Sequence, residues 1–305
     1  MFPGEEHMMS NEITQQGILV GVDGSVHSDA AVEFAVREAV MRNVELSIVH
    51  VVSPIIGGYS GIGMSVAPLP EDIGLQMEDE ARQIVDDAVR LARESAAGAA
   101  LQVRAETPFS PVASALIDMS KQVQLVVVGS RGRDAWQRAL LGSVSTALVH
   151  HAHCPVAVVH GRVSPEHAHA PVVVGIDGSP ASERATELAF NEASLRGVDL
   201  VALHAWSDSV LPGIDSIPIA AIRAEAEETL AERLAGFQER YPDVAVRRLL
   251  VTDSPSRNLL AESESAQLLV VGSHGRGGFA GMLLGSVSSK VVHEAHTAVI
   301  VARQD

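Results

Sequence analysis

Apolar residues along this 305-residue chain recur with two periods. Short β-branched runs bounded by glycine or proline, at 18–23, 45–52, 101–105, 124–129 and 155–160, predict strands. Alanine-rich stretches at 28–42, 76–97, 111–121 and 143–152 lie between them and predict helices. Within 76–97, Ile84, Val85, Ala88, Val89 and Ala92 trace one buried helix face. Strands that alternate with helices predict an α/β fold, a parallel doubly wound five-stranded sheet with helices on both faces and right-handed crossovers.

The same pattern then occurs a second time. "ILVGVDGS" at 18–25 returns as "VVVGIDGS" at 172–179, and "NVELSIVHV" at 43–51 as "GVDLVALHA" at 197–205, both 154 residues later. "QLVVVGS" at 124–130 returns as "QLLVVGS" at 267–273, and "HHAHCPVAVV" at 150–159 as "HEAHTAVIVA" at 293–302, both 143 residues later. The first copy therefore carries about 11 extra residues between its second and fourth strands. Each copy is long enough for its own core, so two repeated domains are expected rather than a solenoid. Their expected limits are 17–160 and 171–305, with a flexible N-terminus at 1–16 and a polar linker at 161–170.

Composition narrows the function classes. Hydrophobic residues are 47% of the chain and aromatics only 3%, so the cores are built from Val, Ala, Leu and Ile. The net charge of −16 makes nucleic acid and anionic membrane surfaces poor partners. One cysteine, Cys154, leaves no internal disulfide framework and fits a reducing compartment. The acidic start lacks the basic and apolar regions of a signal peptide, and no apolar run reaches membrane-spanning length. A cytoplasmic protein is expected.

In a doubly wound sheet, ligands bind beyond the carboxyl ends of the strands, where the strand order reverses. Three unusual loops fall there. "VDGS" and "IDGS" follow the first strand and carry Asp23 and Asp177. A glycine loop follows the fourth strand, with Gly129, Ser130, Arg131, Gly132 and Arg133 in one copy and Gly272, Ser273, His274, Gly275, Arg276, Gly277 and Gly278 in the other. Each loop runs to Gly-Ser-Val at a helix start, Gly142, Ser143 and Val144 or Gly285, Ser286 and Val287. Polyphosphate needs converging N–H donors, bare backbone allows close approach, and a helix N-terminus adds donors and partial positive charge. Arg131, Arg133 and Arg276 add cationic donors to an otherwise acidic chain.

Alternative signatures are weaker. No G-x4-G-K-[ST] occurs, and "GRGGFA" at 275–280 follows a fourth strand, not a first, so neither a P-loop nor a dinucleotide fingerprint is expected. His150, His151 and His153 point to different faces of a helix and predict no metal site. His50 and His204, which end the second strands, read as packed strand residues. Ser143 and Ser286 read at least as helix N-caps. The connection at 53–70 is rich in Gly and Pro and reads as a lid or a variable loop.

Taken together, "GVDGS"/"GIDGS", the G-x2-G-x9-G-S spacing and the closing "CPVAVV"/"TAVIVA" strands resemble the universal stress protein family in its tandem two-domain form, over nearly all of 17–160 and 171–303. The resemblance implies sheet order 3-2-1-4-5 and ATP as ligand, with Mg²⁺ able to accompany it. It implies that Asp23 and Asp177 lie near ribose or adenine, and that the glycine loops with Ser143 and Ser286 hold phosphates. Gly21 and Gly175 would then let the ligand lie against the first strand. It also implies dimers through the last strand, formed between chains or between the two copies of one chain, and a regulatory protein partner that the sequence does not name. Asp134, Ala135 and Arg138 stand where the second copy has Gly277, Gly278 and Gly281, which makes the second copy the safer site. No loop lysine or paired base points to catalysis. The expected function is an ATP-binding stress-response regulator and not an enzyme. A slow Mg²⁺-dependent ATPase or phosphotransferase is one alternative, and a scaffold without nucleotide the other.

Overall fold

A computed structural model of the chain describes residues 17–53, 71–133, 141–162, 164–206, 219–252, 254–276 and 283–303. In the first half the strands are β1 (Ile18–Gly21), β2 (Leu46–Val49), β3 (Val103–Glu106), β4 (Leu125–Gly129) and β5 (Val156–Val159). Helices α1 (Val26–Arg42), α2 (Glu71–Ser95), α3 (Val112–Met119) and α4 (Ser143–His151) connect them. The second half repeats the order with β6 (Val172–Gly175), α5 (Pro180–Arg196), β7 (Leu200–Trp206), α6 (Ile219–Arg240), β8 (Val246–Thr252), α7 (Pro255–Ser263), β9 (Leu268–Gly272), α8 (Ser286–Glu294) and β10 (Ala298–Ala302). Every element expected in the first copy forms. The second helix starts earlier than its apolar stripe suggests, at Glu71 instead of 76.

The strand order is β3-β2-β1-β4-β5-β10-β9-β6-β7-β8. Each half therefore has the order 3-2-1-4-5, with all neighbours parallel. The two halves join in one ten-stranded sheet because β5 and β10 pair antiparallel, with Val299 opposite Val158 and Val301 opposite Val156. The apolar edge strands marked by the sequence are thus occupied by each other within one chain.

Strand periodicity divides the core into two layers. Ile18 and Val20 of β1 point to the α1, α2, α5 and α6 side, and Leu19 to the α3, α4, α7 and α8 side. Each layer contains buried residues from both halves, so burial runs unbroken across the junction. Among the described residues no helix is long and apolar enough to cross a membrane.

Local rules explain the helix ends that matter for the site. Ser25 caps α1 by accepting from the Ser28 amide at 3.1 Å, and Ser179 caps α5 from Ser182 at 3.2 Å. Pro180 sits in the first turn of α5, where a missing N–H costs nothing. Asn43 and Gly197 end α1 and α5 in the left-handed conformation, with φ of 53° and 62°. Arg303 follows β10 and crosses the junction. Its Nε and Nη1 donate to the carbonyls of Ala152 and Val149 at 2.9 and 2.7 Å, tying down the C-terminal end of α4.

Candidate functional sites at the two crests

The switch point between β1 and β4 carries a cavity of about 550 Å³, and the one between β6 and β9 a cavity of about 360 Å³. Both volumes lie in the range typical of small-molecule sites. Gly21, Asp23, Gly129, Arg131, Gly132, Arg133, Gly142, Ser143 and Val144 all line the first. Gly175, Asp177, Gly272, His274, Gly275, Arg276, Gly285, Ser286 and Val287 all line the second. Gly277 and Gly278, with Asp134, Ala135, Arg138 and Gly281, lie outside the described residues, as do 54–70 of the candidate lid. Ser130 and Ser273 are buried, at 2% and 1% exposure, and line neither cavity. The Ser273 hydroxyl meets His274 Nδ1 at 3.1 Å, and the backbones of both serines hold the loops. The amide of Ser130 donates to Val159 at 2.8 Å, and its carbonyl accepts from Gly142 at 2.7 Å. Ser273 repeats both bonds with Ala302 and Gly285, at 2.9 and 2.8 Å. These bonds pin the two ends of each glycine loop together.

The aspartates are more than turn residues. In the first half, Asp23 Oδ1 accepts from the Ser25 amide at 3.1 Å and Oδ2 from the Arg133 amide at 2.9 Å. In the second, Asp177 Oδ1 accepts from the Ser179 amide and hydroxyl at 2.9 and 2.6 Å, and Oδ2 from the Arg276 amide at 3.1 Å. Each carboxylate therefore clamps the loop after the first strand to the glycine loop after the fourth. Ser25 Oγ reinforces the clamp by donating to Arg131 O at 3.4 Å, and Ser179 Oγ, whose proton goes to Asp177 Oδ1, lies 3.2 Å from His274 O.

This clamp changes the account of several glycines. A Cβ on Gly132 would stand 2.6 Å from Asp23 Oδ2, and one on Gly275 2.5 Å from Asp177 Oδ2. These positions are bare so that the carboxylate can reach across. A Cβ on Gly129 or Gly272 would stand 2.7 Å from the backbone of His27 or Ala181, where the first turn of α1 or α5 crosses the strand end. Gly21 and Gly175 line the cavities, but the side their Cβ would occupy is filled by protein. Leu116 and Leu259 come within 3.2 and 3.1 Å of a side chain placed there.

The helix starts are also corrected. Gly142 and Gly285, not Ser143 and Ser286, occupy the N-cap positions, and neither supplies a side-chain cap. The first-turn amides of α4 and α8 thus lack the acceptor a capping side chain provides and remain receptive to an anion. Ser145 and Ser288, to which sequence reasoning gave no role, anchor these helices by donating to the carbonyls of Gly129 and Gly272 at 2.7 and 2.6 Å. The signal for them was the duplicated G-S-V-S.

The two crests differ in charge and closure. Arg133 pairs with Glu80 of α2 at 2.5 Å, which spends part of the first loop's positive charge. In the second half the Arg233 guanidinium lies against the Gly178 turn. Behind the first loop, Arg131 Nε and His160 Nε2 are buried without a hydrogen-bond partner among the described residues. Burial first, and then the neighbouring His296 and Arg131, hold the His160 imidazole down to about pH 4. The unfolded chain binds this proton from about pH 6.5 downward and the folded chain does not, so folding stability falls as pH drops from about 6.5 to 4. A ¹H NMR titration should show His160 neutral at pH 5, and His160→Phe should flatten the urea stability profile across that window.

Comparison with known proteins supplies the lineage. The profile of the universal stress protein family matches residues 16–160 and 169–303. A universal stress protein of Mycobacterium tuberculosis (strain ATCC 25618 / H37Rv) is 52% identical over 299 residues, covering 97% of this chain and 100% of the relative. A second from the same strain is 48% identical over 302 residues, covering 97% and 99%. The crystal structure of a universal stress protein from Archaeoglobus fulgidus DSM 4304 superposes with a TM-score of 0.68 at 22% identity, covering 96% of this chain and 97% of that one, and so shares its fold. Two matched segments, full-length relatives and a duplicated 3-2-1-4-5 sheet agree: the chain belongs to the universal stress protein family, in its tandem two-domain form.

Proposed function

We propose that the chain is an ATP-binding regulatory module with one nucleotide site at the crest of each half. The observation that carries this reading is the convergence, made twice, of a glycine loop, an uncapped helix N-terminus and an aspartate clamp at the switch point. Uncapped amides and loop arginines suit the phosphates. Apolar walls suit the nucleoside, with Val51, Ala81, Ile84 and Leu116 in the first cavity and Leu203, Ala205 and Leu259 in the second.

The described residues build no side-chain set for Mg²⁺. Both oxygens of Asp23 and of Asp177 already accept N–H donors, and no cluster of three or more metal-ligating side chains forms among the described residues. A divalent ion would come with the nucleotide's own phosphates. In this reading the residues that line the crests bind and orient the nucleotide.

Purified protein should release adenine nucleotide on denaturation, measured by chromatography of the supernatant. Its γ-phosphate release should be negligible. Several turnovers per minute would favour the enzyme, and absence of nucleotide together with no thermal shift on adding ATP would leave only a scaffold.

A further inference from the structure

We infer that α2 and α6 set the two crests to different ligand charges, so that the second crest favours a nucleoside triphosphate over its monophosphate more steeply than the first. This rests on the nucleotide reading above and deepens it by assigning the preference for phosphate number to Glu80 and Arg233.

Both helices lean on the turn that follows the first strand of their half. Ile84 of α2 comes within 3.2 Å of a side chain placed on Gly24, and the Arg233 guanidinium of α6 lies against Gly178 in the same turn of the second half. Buried positions confirm the correspondence. Ala81 and Val85 flank Ile84 at the same spacing at which Leu230 and Leu234 flank Arg233. On that alignment Thr229 stands where α2 has Glu80. One helix therefore offers its crest a carboxylate and an apolar side chain, and the other a hydroxyl and a guanidinium.

The charges already at the crests do not cancel this difference. Counting carboxylates and guanidinium groups, the described lining of the first cavity is balanced, Asp23 and Glu80 against Arg131 and Arg133. The second is lined by Asp177 and Arg276, and Arg233 adds a positive charge on the turn beside them. Arg133 pairs with Glu80, whereas neither Arg233 nor Arg276 is in an ion pair among the described residues. Arg223 and Arg240 of the same helix pair with the exposed Glu227 and Glu187, but Arg233 is half-buried on the turn. A half-buried guanidinium without a counter-ion carries a desolvation cost that an arriving anion offsets. No described residue of α6 lines the second cavity, so Arg233 acts from its rim, across the turn that carries Asp177. A positive charge there attracts each further phosphate, and Glu80 at the first crest repels it. Glu80 and Arg133 are 56% and 48% exposed, so solvent screening holds the effect to several-fold.

The test is isothermal titration of the full chain with ATP and with AMP, in magnesium-free buffer of low ionic strength. The Gly275→Ala chain reports the first crest and the Gly132→Ala chain the second. The ratio of ATP to AMP affinity should be at least about fivefold higher at the second crest. Arg233→Ile should lower the ratio at the second crest and Glu80→Thr should raise it at the first, since each brings in the residue of the other half. At about 0.5 M salt the difference between the crests should shrink below about twofold, which a difference in cavity shape would not do. Equal ratios at the two crests, ratios that neither exchange moves, or a difference indifferent to salt would each overturn the inference while leaving nucleotide binding intact. A crest that binds neither ATP nor AMP would instead overturn the reading of two nucleotide sites, and this assignment with it.

Discussion

Arg196→Met should lower the unfolding free energy by about 3–5 kcal/mol, read from urea denaturation followed by circular dichroism. Arg196 belongs to a closed ring of four charges where α1 meets α5. It pairs with Glu192 one turn earlier on its own helix and with Glu38 on the other half. Arg42 mirrors it, pairing with Glu38 at 3.2 Å and with Glu192 across the junction. The carboxylate side chains are wholly buried, and those of Arg42 and Arg196 are only 13% and 8% exposed. Burial first, and then the charge of Glu38, push the Glu192 carboxyl up, while Arg196 and Arg42 oppose that shift. Removing Arg196 leaves two buried carboxylates sharing one guanidinium and also strips a cation from the Phe34 ring, 5.9 Å away. The control is Arg240→Met. Its partner is Glu187 at 2.7 Å, but both side chains are more than half exposed, so the loss should stay below about 1 kcal/mol. Similar small losses for both variants would show that the ring does not hold the halves together.

Gly132→Ala and Gly275→Ala should each weaken ligand binding at their own crest by roughly thirtyfold, about 2 kcal/mol, with much smaller effects at the other crest. The added methyl enters the space of the clamping carboxylate, at 2.6 Å in one half and 2.5 Å in the other. The aspartate is short and already held by Ser25 or Ser179, so it cannot retreat without releasing the glycine loop. Asp23→Asn and Asp177→Asn test the same clamp without adding bulk. Each replaces one accepting oxygen by a donor and should weaken binding in the same half. Calorimetric titration of the four variants separates the sites. A glycine variant with unchanged affinity would show that the loop finds its ligand geometry without the clamp.

Much of this was legible in the residues, and the parts that were not have physical causes. The β-branched runs located every strand of the first half within a few positions, most plainly the buried ones, which are apolar along their whole length. The site was legible as a location, since the loops at a switch point follow from strand order. Its inner workings were less so. Bare backbone at Gly132 and Gly275 signals that something comes close, but spacing does not reveal whether that is a ligand or the protein's own aspartate. Ser143 and Ser286 look like caps by residue type, yet Gly142 and Gly285 hold the extended cap geometry. The ring was present as Glu38/Arg42 and Glu192/Arg196, the same i,i+4 pair in both copies. Such pairs ordinarily lie on solvated helix faces, and only the antiparallel joining of β5 and β10 brings these two faces together. His50 and His204 read as packed strand residues, and each ring is tied to the carbonyl just after the neighbouring first strand.

Isothermal titration of nucleotide-stripped, full-length chain with ATP tests the central claim most directly. Two binding events are expected, one abolished or strongly weakened by Gly132→Ala and the other by Gly275→Ala. An absence of binding heat at millimolar ATP, or binding that survives both substitutions together, would contradict it.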